Sequence, residues 1–559
     1  MSDKTPNTLG SQSLTPNGNV KAAGIATPQA DKSGIRVLVP SRKVIPIVFL
    51  PGIMGSNLRL LPAAQQGIQK KDNIAWRPDR NGFLWDMWNA SAATRQRLLN
   101  PDNVEVDIYE PAKDIPKVGE AADARHDNVK ISCASPWLTD DPKTVHNARS
   151  AIQKARARGW GEIMFDSYGV FLNYLEDAMH NVIREGKPQG RWTELIGVKP
   201  AQWGMLRDCP DEPLTIDHLK KIAKAWFPVH AMGYNWLKSN GEAGKTLAVR
   251  IDELIEKYRK LNFECEKVII VTHSMGGIAA RALVHSSYGN CSDKVLGVVH
   301  GVMPTIGAPA GYKRLKAGFE GTEAHVLGKN GLEVTAVLAH SPGGLELLPS
   351  AQYTAGWLRI VSKGGTVFKT LPEGNDPYSD IYLKSGCWWA LINPAWINPA
   401  GLPVAGQLRL VFERIAYVKK FHEAIAGKFH THTYATFGND RAHSPYGVVE
   451  WQMSAEGSTA ATIDSLPVQE DKGEGKVRFS AAYDGSEQNS KSSTVFAAIQ
   501  APTAAGDGTV PVSSANAVVG CAILQSGYEH QKSYQNVMVQ RSTLHFIVRA
   551  ALTWDSLGK

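Results

Sequence analysis

A hydroxyl that is to attack a carbonyl needs a sharp bend to expose it, a base within hydrogen-bond reach, and an acid to orient the base. Residues 268–277, VIIVTHSMGG, meet the first need. A β-branched run that suits a buried strand drives into His273, Ser274 and Met275, and Gly276 and Gly277 follow. This is a G-x-S-x-G pattern with Thr272 in the first glycine's place. Small neighbours permit the strand-to-helix turn that lifts a serine clear of a sheet. The helix start also leaves backbone N–H groups free to meet negative charge. Ser274 is therefore the candidate nucleophile, and the N–H of Met275 is a candidate oxyanion donor. Alone, the pattern is only a glycine-softened turn; the strand before it and the small-residue helix after it supply the context the chemistry requires.

Where a serine sits on such a turn, the acid and then the histidine follow it in the chain. AAGDGTVPVSS (504–514) offers Asp507 between two glycines, and GYEHQKSYQN (527–536) offers His530, 23 residues further on. Both lie among turn residues, where loops carry function. Asp440 in FGNDRAH is the rival acid. His545, inside the apolar TLHFIV, is the rival base but reads as a core or interface histidine. His422, His430 and His432 have no carboxylate or cysteine at zinc-site spacing and read as structural, so neither metal nor organic cofactor is expected.

A second oxyanion donor is expected after an early strand. FLPGIMGSNL (49–58) fits, because Gly52 and Gly55 let backbone approach a substrate closely. The N–H of Ile53 is the candidate, with Met54 the near alternative. Met54 and His273, beside these donors, are also candidates to touch the substrate.

These groups need a scaffold. VIPIVFLPG (44–52) reads as a buried strand and tight turn, and WFPVHAMGYNW (226–236) repeats the strand pattern. In KTLAVRIDELIEKYRK (245–260), Leu247, Ile251, Leu254, Ile255 and Tyr258 recur at helical steps. KVLGVVHGVMP and THTYATFG read as further core strands, and 543–554 as a closing helix. Strand and helix alternating at short spacing predict an α/β fold with a mainly parallel, doubly wound sheet. Residues 61–227, largely helical, and 311–427 read as large insertions forming a cap, and 455–500 as a polar loop. Together, residues 39–559 make one domain. Residues 1–38, rich in Ser, Thr, Pro, Gly and Asn, read as a disordered tail.

Composition excludes some classes. A net charge of +8 on 559 residues is mild, and Lys and Arg are scattered, so no nucleic acid is expected as partner. No apolar run reaches the roughly 18 residues of a membrane span. The start lacks a basic and apolar leader, so the chain is expected to be made in the cytoplasm without a signal peptide. Its six cysteines lie far apart with no CxxC pair, and read as free thiols of a protein folded in a reducing compartment.

In order, FLPGIMGSNL, GYNW (233–236), THSMGG, GDGTVP and the EHQKSY histidine resemble the lipase group of lecithin:cholesterol acyltransferases and GPI inositol-deacylases. They resemble still more the bacterial type VI secretion lipase effectors. The resemblance implies an α/β-hydrolase fold with Ser274, Asp507 and His530 as triad. It implies a phospholipid or other acyl ester as substrate and delivery into the periplasm of a competing cell. A cognate immunity protein and a secretion spike protein are the partners it implies. The Trp- and Pro-rich GCWWALINPAWINPAGLPVAG (386–406) suggests that Trp388 and Trp389 meet a membrane surface and guide an acyl chain, or else fill the cap's own core. Two rival functions stand beside this one: a cytoplasmic carboxylesterase for small soluble esters, and a binding scaffold without catalysis.

Overall fold

The computed structural model describes residues 13–14, 20–25, 34–38 and 41–558, less 81, 111–126, 145, 322–323, 404, 455–461 and 481–494. Seven strands form the central sheet: β1 (Ile47–Leu50), β2 (Met205–Arg207), β3 (Val229–Ala231), β4 (Val268–His273), β5 (Val295–Gly301), β6 (Thr433–Gly438) and β7 (Cys521–Gln525). Their order is β2-β7-β6-β5-β4-β1-β3, parallel throughout except for the antiparallel edge strand β2. β4 lies mid-sheet with every residue buried, its Thr272 opposite Leu50 of β1 and its His273 opposite Gly301 of β5. Burial on both faces is why it reads as a continuous β-branched run.

Helices cover both faces. The helix Asn240–Lys260 buries Leu247, Ile251, Leu254, Ile255 and Tyr258 as its periodicity predicts. It starts one turn before that pattern does, because the Ser239 side chain accepts the N–H of Gly241. The closing helix, Val537–Ala551, packs against β5 and buries Leu544, His545 and Phe546 among others.

Residues 358–499 hold a second sheet of six strands. Its order is Val367–Leu371, Leu358–Ser362, Val449–Met453, Val495–Ile499, Lys476–Phe479 and Val468–Asp471. Residues 455–500, read as a polar loop, therefore supply three strands; within Lys476–Phe479 burial alternates, so Val477 and Phe479 face the core while Lys476 and Arg478 face out. The tail 1–38 falls mostly outside the described residues. The part within them pairs as three antiparallel strands, Ser13–Leu14, Val20–Ile25 and Gly34–Leu38, which the expectation of disorder missed.

The cysteine expectation is corrected, and of the two readings of the tryptophan stretch the core one holds. Cys209 and Cys521 are joined by a disulfide, while Cys133, Cys265, Cys291 and Cys387 are free. Trp388 and Trp389 are core, at 6% and 2% exposure. Trp388 donates its indole N–H to the carbonyl of Ile463 at 2.8 Å and packs edge-on against Trp451 and Phe479. Trp389 donates to Asp464 Oδ1 at 2.7 Å. Both indole donors are satisfied inside the second sheet's core, so neither is presented to a membrane or to the cavity described below.

Candidate active site

β4 ends at His273, and Ser274 follows with φ of 53°, the left-handed region that a non-glycine residue enters only when its surroundings force it. The Ser274 N–H is tied to the carbonyl of Gly301 at 2.9 Å, and the helix Gly276–Val284 begins two residues on. Gly276 is needed here because a Cβ would lie 2.5 Å from the carbonyl oxygen of Leu50 and 2.6 Å from that of Pro51. Helix and first loop can therefore close on each other. Thr272 is tolerated because its side chain turns inward, fully buried, to within 3.2 Å of His300 Nδ1.

Ser274 Oγ lies 2.8 Å from His530 Nε2, and His530 Nδ1 lies 2.8 Å from Asp507 Oδ2. A carboxylate only accepts, so Nδ1 carries the imidazole proton and Nε2 is left to accept the serine O–H. The other Asp507 oxygen, Oδ1, accepts the backbone N–H groups of Thr509 and Val510 at 3.0 and 2.7 Å. The His530 N–H donates to the Asp507 carbonyl at 2.8 Å, which ties the two loops a second time. Asp507 is 1% exposed, and the chain thus joins three side chains from distant segments in one hydrogen-bonded row.

Asp440, the rival acid, does not touch His530. It organises the same corner instead: its backbone pairs with Gly506 in both directions at 3.0 Å, and its Oδ2 accepts the N–H of Gly527 at 3.0 Å. His545 is packed beside Trp203, and burial drives its pKa down to about 3. His422 lies between Tyr378 and the Glu346 carbonyl, and His430 accepts the N–H of His432 at 3.1 Å. Among the described residues no group of three or more His, Cys, Asp or Glu side chains has metal-binding proximity.

The loop after β1 carries Gly52, Ile53 and Met54, the last with φ of 62°. Among the described residues no acceptor takes the backbone N–H of Ile53 or of Met275. Both residues stand beside Ser274 in sequence or space, since a Cβ on Gly52 would lie 3.1 Å from the Ser274 Cβ. Two N–H groups left without an acceptor near a hydroxyl suit a developing oxyanion.

Gly52, Ile53, Met54, His273, Ser274, Asp507 and His530 line one cavity of about 860 Å³. Much of the remaining lining is apolar, with Leu315, Phe319, Val326, Leu338 and Leu347 contributing. Leu84, Trp85 and Trp88 line it too, from the short helix Phe83–Trp88, and are 49%, 71% and 51% exposed. The stretch NGFLWDMWNA carries this feature in its sequence, as two tryptophans three apart in an aromatic run broken by Asp86 and Asn89. Tyr168, also lining the cavity, had no signal in the sequence that could separate it from an ordinary helix aromatic. His273 is 1% exposed and already hydrogen-bonded at both ring nitrogens, so it is not free to bind substrate.

No protein-family profile matches the chain, and no curated protein matches it either. Among solved structures, the crystal structure of the Tle4–Tli4 complex aligns with a TM-score of 0.69 and 26% identity, over 91% of this chain and 98% of that one. The crystal structure of Bacillus licheniformis lipase BlEst2 in mature form aligns over 60% of this chain and 83% of that one, at 12% identity and a TM-score of 0.25, too loose to bear weight. With its parallel sheet, its serine turn after the mid-sheet strand and its helices on both faces, the chain has the α/β-hydrolase fold.

Proposed function

We propose that this chain is a serine hydrolase of lipid acyl esters, a phospholipase or lipase, that a type VI secretion machine delivers into the periplasm of competing bacteria. The observation that carries the chemistry is the Ser274–His530–Asp507 row, at 2.8 Å for each contact, lining an apolar cavity. His530 takes the proton as Ser274 Oγ attacks the ester carbonyl. The N–H groups of Ile53 and Met275 hold the oxyanion, and His530 then protonates the leaving alcohol. Water, losing a proton to His530, hydrolyses the acyl-enzyme and restores the serine. Asp507 holds the tautomer throughout, and the reaction needs no metal or organic cofactor.

Lipid is favoured over a small soluble ester by the cavity's apolar lining and by the exposed tryptophans at its edge. An indole has an apolar body and one N–H, which suits a membrane interface. Trp85 and Trp88 thus take the role first considered for Trp388 and Trp389. The motif resemblance to type VI lipase effectors and the likeness to Tle4, solved in complex with Tli4, support the delivery route and an immunity partner. That partner is proposed to cover the cavity, and a spike protein to carry the toxin.

Expression in the bacterial periplasm, with and without Ser274→Ala, tests the reading. Lysis and a shift from phospholipid to free fatty acid are expected with the wild-type chain alone. Toxicity that survives the substitution overturns it.

A further inference from the structure

The histidine before the nucleophile is buried and engaged at both ring nitrogens. Its Nε2 lies 3.0 Å from the carbonyl oxygen of His530, and its Nδ1 lies 3.1 Å from the Tyr168 hydroxyl. A carbonyl only accepts, so Nε2 must carry the proton. Burial, reinforced by the neighbouring His530, pushes the His273 pKa down to about 3, so the ring is neutral and Nδ1 has a free lone pair. Tyr168 therefore donates its O–H to Nδ1. The phenol oxygen in turn accepts the backbone N–H of Gly52 at 3.2 Å, and the Gln531 side chain bonds it as well. Every proton in this chain of contacts has one possible place, and all run in one direction: Gly52 N–H to Tyr168, Tyr168 O–H to His273, His273 N–H to His530.

The two ends of this chain meet the two halves of the chemistry. Gly52 directly precedes Ile53, whose N–H is the proposed oxyanion donor, and His530 is the proposed base. We propose that Tyr168 and His273 are positioning residues, a buried relay that locks the oxyanion loop to the backbone of the base across Ser274. This rests on the esterase reading above. Space is tight enough to make the lock specific. A Cβ on Gly52 would lie 2.9 Å from His273 Nδ1, so the loop can sit against the ring only as glycine. Tyr168 is itself held between Phe49, with ring centroids 5.0 Å apart, and the His273 ring at 5.4 Å. The helix Phe165–His180 that carries it belongs to the first insertion, so a segment outside the core alternation completes the site.

Tyr168→Phe removes one oxygen and keeps the ring. Turnover of a short p-nitrophenyl ester is expected to fall by about 10- to 100-fold in kcat, with KM within about twofold, because a loosened donor costs transition-state rather than ground-state binding. Fluorophosphonate labelling of Ser274 should slow in proportion. His273→Gln should act on the same unit, so the double variant should be no slower than the slower single one. An unchanged kcat in Tyr168→Phe, or losses that multiply in the double variant, overturns the relay. Wild-type chain labelled with ¹⁵N in its histidines gives a readout that needs neither turnover nor a variant. His273 is expected as the Nε2–H tautomer from pH 8 to pH 5, and an Nδ1–H tautomer overturns the proposal. A wild-type chain that turns over no ester and resists fluorophosphonate removes the esterase reading, and the positioning role falls with it whatever the tautomer.

Discussion

Gly438, the last residue of β6, has no room for a side chain: a Cβ there would lie 2.7 Å from the Cβ of Asp507. The loop that carries Asp507 does not follow a strand of the central sheet. It returns from the second sheet and is pinned to the end of β6 by the paired backbone of Asp440 and Gly506. Close approach at Gly438 is what lets that loop bring its carboxylate to His530.

Gly438→Ala should therefore push Asp507 away without removing it. A displacement of this order is expected to lower kcat by roughly 10- to 100-fold with little change in KM. Thermal melting should show the fold intact, since the clash is local. Steady-state kinetics on a soluble ester check this, and an unchanged kcat would show that the loop relaxes around the added methyl.

The exposed and buried tryptophans should separate cleanly. Trp85→Ser with Trp88→Ser should reduce turnover of phospholipid vesicles far more than turnover of a short soluble ester, and reduce vesicle binding in sedimentation. Trp388→Ala should instead destabilise the protein by about 3–5 kcal/mol, because it empties a packed core site and strands the Ile463 carbonyl. Denaturant midpoints for the two sets check the contrast. Equal loss on both substrates in the exposed pair would sink the membrane role.

The same contrast shows what the sequence could and could not convey. β1, β4 and the turns after them are contiguous in the chain, so strand, bend and glycine stand side by side and the candidate serine and its donors could be read directly. Asp507 and His530 needed a rule of chain order, because their meeting with Ser274 is purely spatial. Trp388 and Trp389 sit in a stretch whose composition suits a membrane edge and a core equally, and only the partners Ile463, Asp464 and Trp451 decide it. The second sheet was hidden because its short strands share no one burial pattern: Leu358–Ser362 is buried at all but Arg359, while Val468–Asp471 has no buried residue. Lys476–Phe479 did carry the alternation, but polar neighbours on both sides masked it. Nothing local marks a contact such as Tyr168 with His273.

The cysteine pair is another purely spatial link, with 312 residues between Cys209 and Cys521. It staples the segment after edge strand β2 to the first residue of β7, the strand that leads into the His530 loop. Reduction or Cys209→Ser should lower stability by about 2–5 kcal/mol. Unfolding with and without a phosphine reductant measures it, and thiol titration under denaturing, non-reducing conditions should find four reactive groups. Six would show that the bond does not form.

Acid should weaken the fold through its buried imidazoles. Burial holds His273, His300 and His545 at about 3 and His422 at about 4, all below the ordinary 6.5. Between those values and 6.5 the unfolded chain binds protons that the folded one refuses. Their contribution is therefore fully present above pH 6.5 and is lost as pH falls toward 3–4. Glu346 works in the opposite sense: burial raises its carboxyl from 4.5 to about 7, so its contribution is present below pH 4.5 and lost as pH rises through 7. In the shared window these four imidazoles, with the His230 imidazole that burial also holds well below 6.5, outweigh the Glu346 carboxyl, so urea midpoints should fall on going from pH 7 to pH 5 with little change in slope. Glu346→Gln should steepen that fall, since it removes a group that offsets it. A midpoint that rises on acidification would mean that these histidines take up protons in the folded state.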